Sequence, residues 1–209
     1  MQSQNYTRGR RTDLFVKFKS LHEKARLLDG SIDGYIETQG AGFVPMRKLQ
    51  EMVVAVFSEA IMVNFGLHKI VFQLKYKSHD LALKVGKSQA VERDHRAYKL
   101  LPPSLRHAYF ARIFWHTKYS ILQEYGTEAE VTQRQLLQLR ALAGKYGLLD
   151  ITCDNIRWVN GNLKIIDAGI SPPGLFGLWK TTDTISRRLP GPVSRIIRKA
   201  RLVTTTRER

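Results

Sequence analysis

Hydrophobic positions recur at two spacings along the 209-residue chain. Over residues 12–28, Leu14, Phe18, Leu21, Ala25 and Leu28 fall three or four apart with basic residues between them, which predicts a helix with one apolar face. Gly30, Gly34, Gly40 and Gly42 then mark a looser stretch. Residues 46–61 (MRKLQEMVVAVFSEAI) fit a helix or part of a first strand, and their first half reads as helix. The period then shortens to two. KIVFQLKY (69–76) and LALKVG (81–86) are β-rich runs on either side of Lys77-Ser78-His79-Asp80, a hairpin pattern. SQAVERDHRAYKLL (88–101) predicts a helix stopped by Pro102-Pro103. AYFARIFW (108–115) and YSILQEY (119–125) predict two strands joined by a tight turn. VTQRQLLQLRALAGKYG (131–147) predicts a helix with Leu136, Leu139 and Ala143 on one face. After a loop come the strand IRWV (156–159), the turn Asn160-Gly161-Asn162 and the strand LKIID (163–167). This order predicts an α+β fold in which a sheet-and-helix lobe joins a mostly helical one.

The apolar stretch LLDITCDNIRWVNGNLKIIDAG (148–169) contains Asp150, Asn155 and Asp167. These polar residues are either loop punctuation or the metal-holding end of a phosphoryl-transfer site. Asp150 and Asn155 are five apart, and Asp167 lies twelve beyond Asn155. The Asn160-Gly161 turn folds the second strand back, so that Asp167 can face Asn155. On the earlier hairpin, alternation puts Lys84 and Ala82 on one face.

Taken together, residues 60–170 resemble the protein-kinase-like superfamily. That family's catalytic loop spaces Asp and Asn in the same way, a metal-binding D-F-G ends a following strand, and a lysine sits in V-A-I-K on a strand. The D-I-T-C-D-N run resembles small atypical members, such as the kinase of the tRNA-threonylcarbamoyl complex and lipopolysaccharide-core kinases. The resemblance implies a two-lobed kinase-like fold with a truncated helical C-lobe. The division would be a basic N-terminal extension (1–45), an N-lobe (46–126), a minimal C-lobe (127–180) and a basic tail (181–209). It also implies roles. Asp150 would accept or orient the proton of an attacking hydroxyl, and Asn155 with Asp167 would hold Mg²⁺ through hard oxygen ligands. Lys84 would face the α/β phosphates of ATP, paired with a helix carboxylate: Glu92 is preferred, and Asp94 is its rival because sequence leaves the helix phase open. LQEYG (122–126) would be the hinge, with backbone groups of Glu124 and Tyr125 or Gly126 meeting the adenine.

The chain departs from the family pattern in five respects. The glycine-rich loop is missing; only Gly66 stands where its last glycine would fall, with Ser58 and Asn64 as candidate substitutes. Leu148 replaces the His before the catalytic Asp, and Ala168 replaces the D-F-G phenylalanine. Thr152 stands where Ser/Thr kinases carry Lys. Only 40 residues follow Gly169, too few for an activation segment and a full helical lobe.

Charge adds a second theme. The chain carries 34 Lys+Arg against 18 Asp+Glu, a net +16, and the surplus gathers at the ends. Residues 1–30 hold seven basic against three acidic residues, and residues 180–209 hold nine against two. Such ends suit a polyanionic partner, RNA or an anionic membrane. VSRIIRKARLV (193–203) predicts a basic amphipathic helix, and LFGLW (175–179) adds an apolar cluster before it. One cysteine, Cys153, excludes an intramolecular disulfide and fits a reducing compartment. No apolar run approaches the length of a membrane span. The expectation is a cytoplasmic protein, or one peripheral to a membrane surface. Its expected function is a phosphotransferase moving the ATP γ-phosphoryl group to a hydroxyl acceptor; the alternative is a pseudokinase-like module that docks RNA, membrane or protein through its basic ends.

Overall fold

A computed structural model describes residues 18–36, 46–66 and 68–170, all within one structural unit. The basic residues 1–17, the apolar cluster 175–179 and the amphipathic helix 193–203 expected from the sequence lie outside the described residues.

Helix α1 (Lys19–Ile36) runs through Gly30 and Gly34 instead of loosening there. A side chain at either glycine would meet nothing nearby, so each weakens the helix by only about 1 kcal/mol. Burial of Leu21, Ala25, Leu28, Ile32 and Ile36 along one stripe outweighs that cost. Helix α2 (Met46–Val56) takes the helical reading of its segment and is followed by strand β1 (Ile61–Phe65). The hairpin then forms as β2 (Lys69–Tyr76) and β3 (His79–Gly86), joined by Lys77-Ser78 alone. Helix α3 (Ser88–Leu100) follows.

The run 108–115 departs from its strand expectation. Its start ends a short helix, α4 (Pro103–Tyr109), and only Ile113–His116 forms a strand, β4. Pro103 sits at the first helical position, where its missing N–H costs nothing and its fixed φ favours a turn of helix. Strand β5 (Ser120–Glu124) completes an antiparallel sheet in the order β1-β2-β3-β5-β4. Helix α5 (Gln133–Gly144) starts at a capping box: the Gln135 amide donates to the Thr132 hydroxyl, and the Thr132 amide donates to the Gln135 side chain. Then come β6 (Leu148–Leu149), a 3₁₀ turn (Cys153–Asn155), β7 (Ile156–Val159), β8 (Asn162–Ile165) and β9 (Gly169–Ile170). β7 pairs with β8 around a tight turn in which Asn160 and Gly161 have φ 50° and 75°, and β6 pairs with β9.

The sheet has two differently used faces. Ile70, Phe72, Leu74, Leu81, Leu83, Val85 and Leu122 pack against the buried stripes of α1 and α2. Where it is described, the 1–45 segment packs on the sheet and is no separate extension, since Phe18, Leu21, Ala25, Leu28, Ile32 and Ile36 share the sheet's core. A second apolar cluster joins α3, α5, β6, β7 and β8 through Ala97, Tyr98, Leu136, Leu139, Leu148, Ile156 and Ile165. Among the described residues no helix is long and apolar enough to cross a membrane.

Gly86, at the end of β3, sets the approach of β2 to the start of α3. It lies opposite Lys69, and the next amide, Lys87, donates to the His68 carbonyl at 3.0 Å. A β-carbon there would run into that carbonyl and the Lys69 backbone. Gly86→Ala should lower unfolding stability by about 1–3 kcal/mol, measured by urea denaturation, because backbone atoms cannot swing aside as a side chain can.

Candidate functional site

The sheet face turned away from α1 and α2 carries Lys69, Ala82, Lys84 and Gln123. Alternation along β3 puts Leu81, Leu83 and Val85 in the core and Ala82 and Lys84 on the other side. Lys84 is 2% exposed, and its ammonium donates to the Ile166 carbonyl at 2.7 Å and to Asp94 Oδ2 at 3.4 Å. Asp167 Oδ2 stands 3.9 Å from it. Residues 84, 94 and 167 thus converge from β3, α3 and the segment after β8.

The helix carboxylate that meets Lys84 is Asp94, which corrects the preference for Glu92. α3 buries Ala90, Val91, Asp94, Ala97 and Tyr98, one stripe at three- and four-residue spacing that includes position 94. Glu92 lies off this stripe, and its Oε1 accepts from Arg96 Nε at 2.7 Å. The apolar stripe was the available signal: it runs through position 94 and bypasses 92.

A second lysine, not anticipated from the sequence, enters the same place. Lys69 Nζ donates to Asp94 Oδ2 at 2.5 Å and to Asp167 Oδ2 at 2.9 Å. Two ammonium groups and two carboxylates therefore share one largely buried space. Burial works against the charged forms, but the lysines prevail at Asp167: Lys84 and Lys69 hold it down at about 2. Burial likewise disfavours the Lys69 cation, and the attraction of Asp94 and Asp167 raises its pKa above the usual lysine value. Asp94 Oδ1, the other carboxylate oxygen, is buried without a hydrogen bond and borders a small cavity lined by Lys84, Tyr98, Phe110, Gln123 and Asp167.

The acidic loop sits beside this cluster. Arg140 of α5 donates to the Ile151 carbonyl at 2.7 Å, which fixes the loop against the helix. Asp150 adopts φ 59°, a left-handed conformation that Asp tolerates better than most residues. Its exposed carboxylate lies over Gly169, where a β-carbon would collide with it. Asn155 Nδ2 donates to the Asp150 carbonyl at 2.9 Å, and the Asn155 carbonyl accepts from the Ile166 amide at 2.9 Å. One short network thus ties Asp150, Asn155 and the residue before Asp167 together.

The expected hinge is engaged internally. The Tyr125 amide donates to the Asp80 carbonyl at 3.3 Å. The Glu124 carboxylate accepts from the Arg112 amide and Lys164 Nζ, each at 2.9 Å. Gly126 lies so close to β7 that a β-carbon would come within 2.5 Å of Arg157 Cβ, and Thr127 exchanges backbone hydrogen bonds with Trp158 at 3.0 Å. The segment is a close joint between the sheet and the β7–β8 hairpin. Gly66 closes the β1–β2 turn, its amide donating to the Lys69 carbonyl at 2.8 Å. Asn64 Oδ1 accepts from the Phe65 amide at 2.7 Å, and the Ser58 hydroxyl donates to Glu59.

No protein-family model matches the chain, and no curated protein matches it in sequence.

Two outcomes follow from these charges. Asp94→Asn leaves two buried ammonium groups facing one carboxylate and should destabilise the fold by about 3 kcal/mol, while Glu92→Gln should change it by less than about 1 kcal/mol; denaturant unfolding distinguishes them. Asp167 has a lowered folded pKa, so its stabilising share is fully present above its unfolded value near 4 and fades as pH falls through about 2. The stability difference between wild type and Asp167→Asn, followed by unfolding at a series of pH values, should be constant above pH about 5 and shrink in that acid window.

Proposed function

We propose that this chain is an atypical kinase-like phosphotransferase that moves the γ-phosphoryl group of ATP to a hydroxyl acceptor. The observation that carries the reading is the convergence of Lys84, Asp94 and Asp167 from three separate elements, beside Asp150 and Asn155 on one hydrogen-bonded loop. The sheet order, with α3 inserted between β3 and β4, supports it, because that helix delivers a carboxylate to the β3 lysine.

The roles follow from charge and position. Lys84, held by Asp94 and the Ile166 carbonyl, presents a fixed cation to phosphate oxygens. Lys69 supplies a second cation at the start of β2 next to Gly66, where glycine-loop amides would otherwise act. Asn155 and Asp167 suit Mg²⁺ as a donor set: the Asn155 amide nitrogen is spent on the Asp150 carbonyl, which leaves its oxygen as the acceptor, and Asp167 is ionised at neutral pH. When bound there, the ion would neutralise phosphate charge. Asp150, exposed and turned by its left-handed backbone, is placed to orient an acceptor hydroxyl and take up its proton. Catalysis of this kind rests on positioning and charge, and these residues lie on short, tied segments.

One observation favours a second reading, a pseudokinase-like module that docks RNA, membrane or protein through its basic ends. Lys69 already satisfies Asp167, and the Tyr125 amide already has a partner, so the described site is self-contained without nucleotide. Calorimetry of Mg-ATP binding separates the two. Wild type should bind in a Mg²⁺-dependent manner, and Asp167→Ala should lose that dependence. An absence of binding by the wild type favours the docking module, and unchanged affinity in Asp167→Ala removes the metal role of Asp167.

A further inference from the structure

Glu92, displaced from the lysine, belongs to a different cluster. Its neighbour one turn along α3 is His95, and His116 ends the edge strand β4 against the same face of the helix. One ligand atom from each of Glu92, His95 and His116 lies within 4.8 Å of the others. The two imidazoles stack with centroids 3.6 Å apart and planes 29° apart. We infer that Glu92, His95 and His116 form a site for a borderline divalent transition metal, Zn²⁺ by its donor set, which fastens α3 to β4.

The donor chemistry is specific. Two imidazoles and one carboxylate form a three-ligand set that binds Zn²⁺ and leaves a fourth position for water. The carboxylate is already oriented for this use: Oε1 accepts from Arg96, while Oε2 faces His116 Nε2 at 4.0 Å. An outer partner on one oxygen that presents the other to a metal is the usual arrangement around bound zinc. All three residues are half-buried, so the donors are partly shielded from bulk water. The donors already lie within 4.8 Å of one another, and metal–ligand bonds near 2 Å would draw them to a separation of roughly 3.3 Å, with the rings turning out of their stack. Glu92 and His95 are three apart on one helix, so their side chains are neighbours on its surface, and β4 brings His116 to them. Lys99 and Arg106 add positive charge near His95, and the Arg106 guanidinium is turned to the Leu101 carbonyl at 2.9 Å and over the Tyr98 ring.

The site does not depend on the phosphotransferase reading. Its structural consequence reaches the same helix, because Asp94 lies between Glu92 and His95 in sequence and faces the lysines. Metal on one face of α3 would hold the other face, with Asp94, against Lys84.

The test uses the full chain without an affinity tag, freed of metal and titrated with Zn²⁺ by calorimetry and with Co²⁺ by visible absorption. The expected result is one equivalent of Zn²⁺ and the visible bands of a four-coordinate Co²⁺ site. His116→Ala and Glu92→Gln should each weaken binding by about 100-fold or more, beyond the 10- to 100-fold cost of an outer-shell change. Glu92→Gln is a half-exposed substitution, so it keeps the test decisive should His116→Ala fail to fold. Cys153→Ser, which removes the exposed thiol, should leave binding unchanged. No saturable binding by the wild type would overturn the site. So would undiminished affinity in Glu92→Gln, or loss of binding in Cys153→Ser.

Discussion

Two ammonium groups and two carboxylates, Lys69, Lys84, Asp94 and Asp167, meet between the sheet, α3 and the end of β8, and much of the described fold serves to bring them there. Removing such ions from water costs several kcal/mol each, and apolar residues of similar volume would often stabilise a fold as well or better. The cluster therefore constrains the fold more than it strengthens it. β2 and β3 must keep their register, α3 must keep its phase, and the segment after β8 must return to the sheet. A slip in any one would strand a buried charge. That stability alone gives no reason to keep all four groups is what makes them a site candidate.

The sheet's two faces explain how such a polar cluster is tolerated. Ile70, Phe72, Leu74, Leu81, Leu83 and Val85 are covered by α1 and α2, so the hairpin is anchored from the side that holds no charge. With that face filled, the alternate residues of the same strands are free to be polar. The tie to β7 at Gly126 and Thr127, and the Glu124–Lys164 pair, then connect the sheet to the hairpin that delivers Asp167. Position is set by the apolar side and used on the polar side.

The legible parts of the sequence were those where one periodicity dominates. Spacing and turn chemistry specify the β2–β3 pair, α3, α5 and the Asn160-Gly161 hairpin, and the α+β class follows from their order. The departures from that spacing have local causes. A four-residue turn at 77–80 would set Gln73 opposite Lys84, whereas the two-residue turn sets Val71 there and brings Lys69, two positions back on the same face, to the site. One turn length thus hid a functional candidate. Gly30 and Gly34 suggested a break in a helix whose buried stripe was strong enough to carry it through. The apolar run 108–115 has the pattern of one strand, but Pro103 starts a helix that reaches Tyr109. β6 and β9 are two residues each, too short to leave a period in the sequence.

α3 is where these constraints meet. Its buried stripe packs Ala97 and Tyr98 into the second core, Asp94 on that stripe enters the ion cluster, and Glu92 and His95 turn toward the edge strand. A helix so placed has few independent positions, because a shift that relaxes His95 against His116 also moves Asp94 relative to Lys69 and Lys84. The two lysines come from adjacent strands held by backbone ladders, so they cannot follow the helix. A shift of α3 would therefore leave Asp94 and the lysines short of partners at once, with the Asp94 Oδ1 atom already lacking one. The charge cluster and the helix–strand contact are thus coupled through rigid geometry, and whatever fixes one face of α3 also sets the electrostatics of the other.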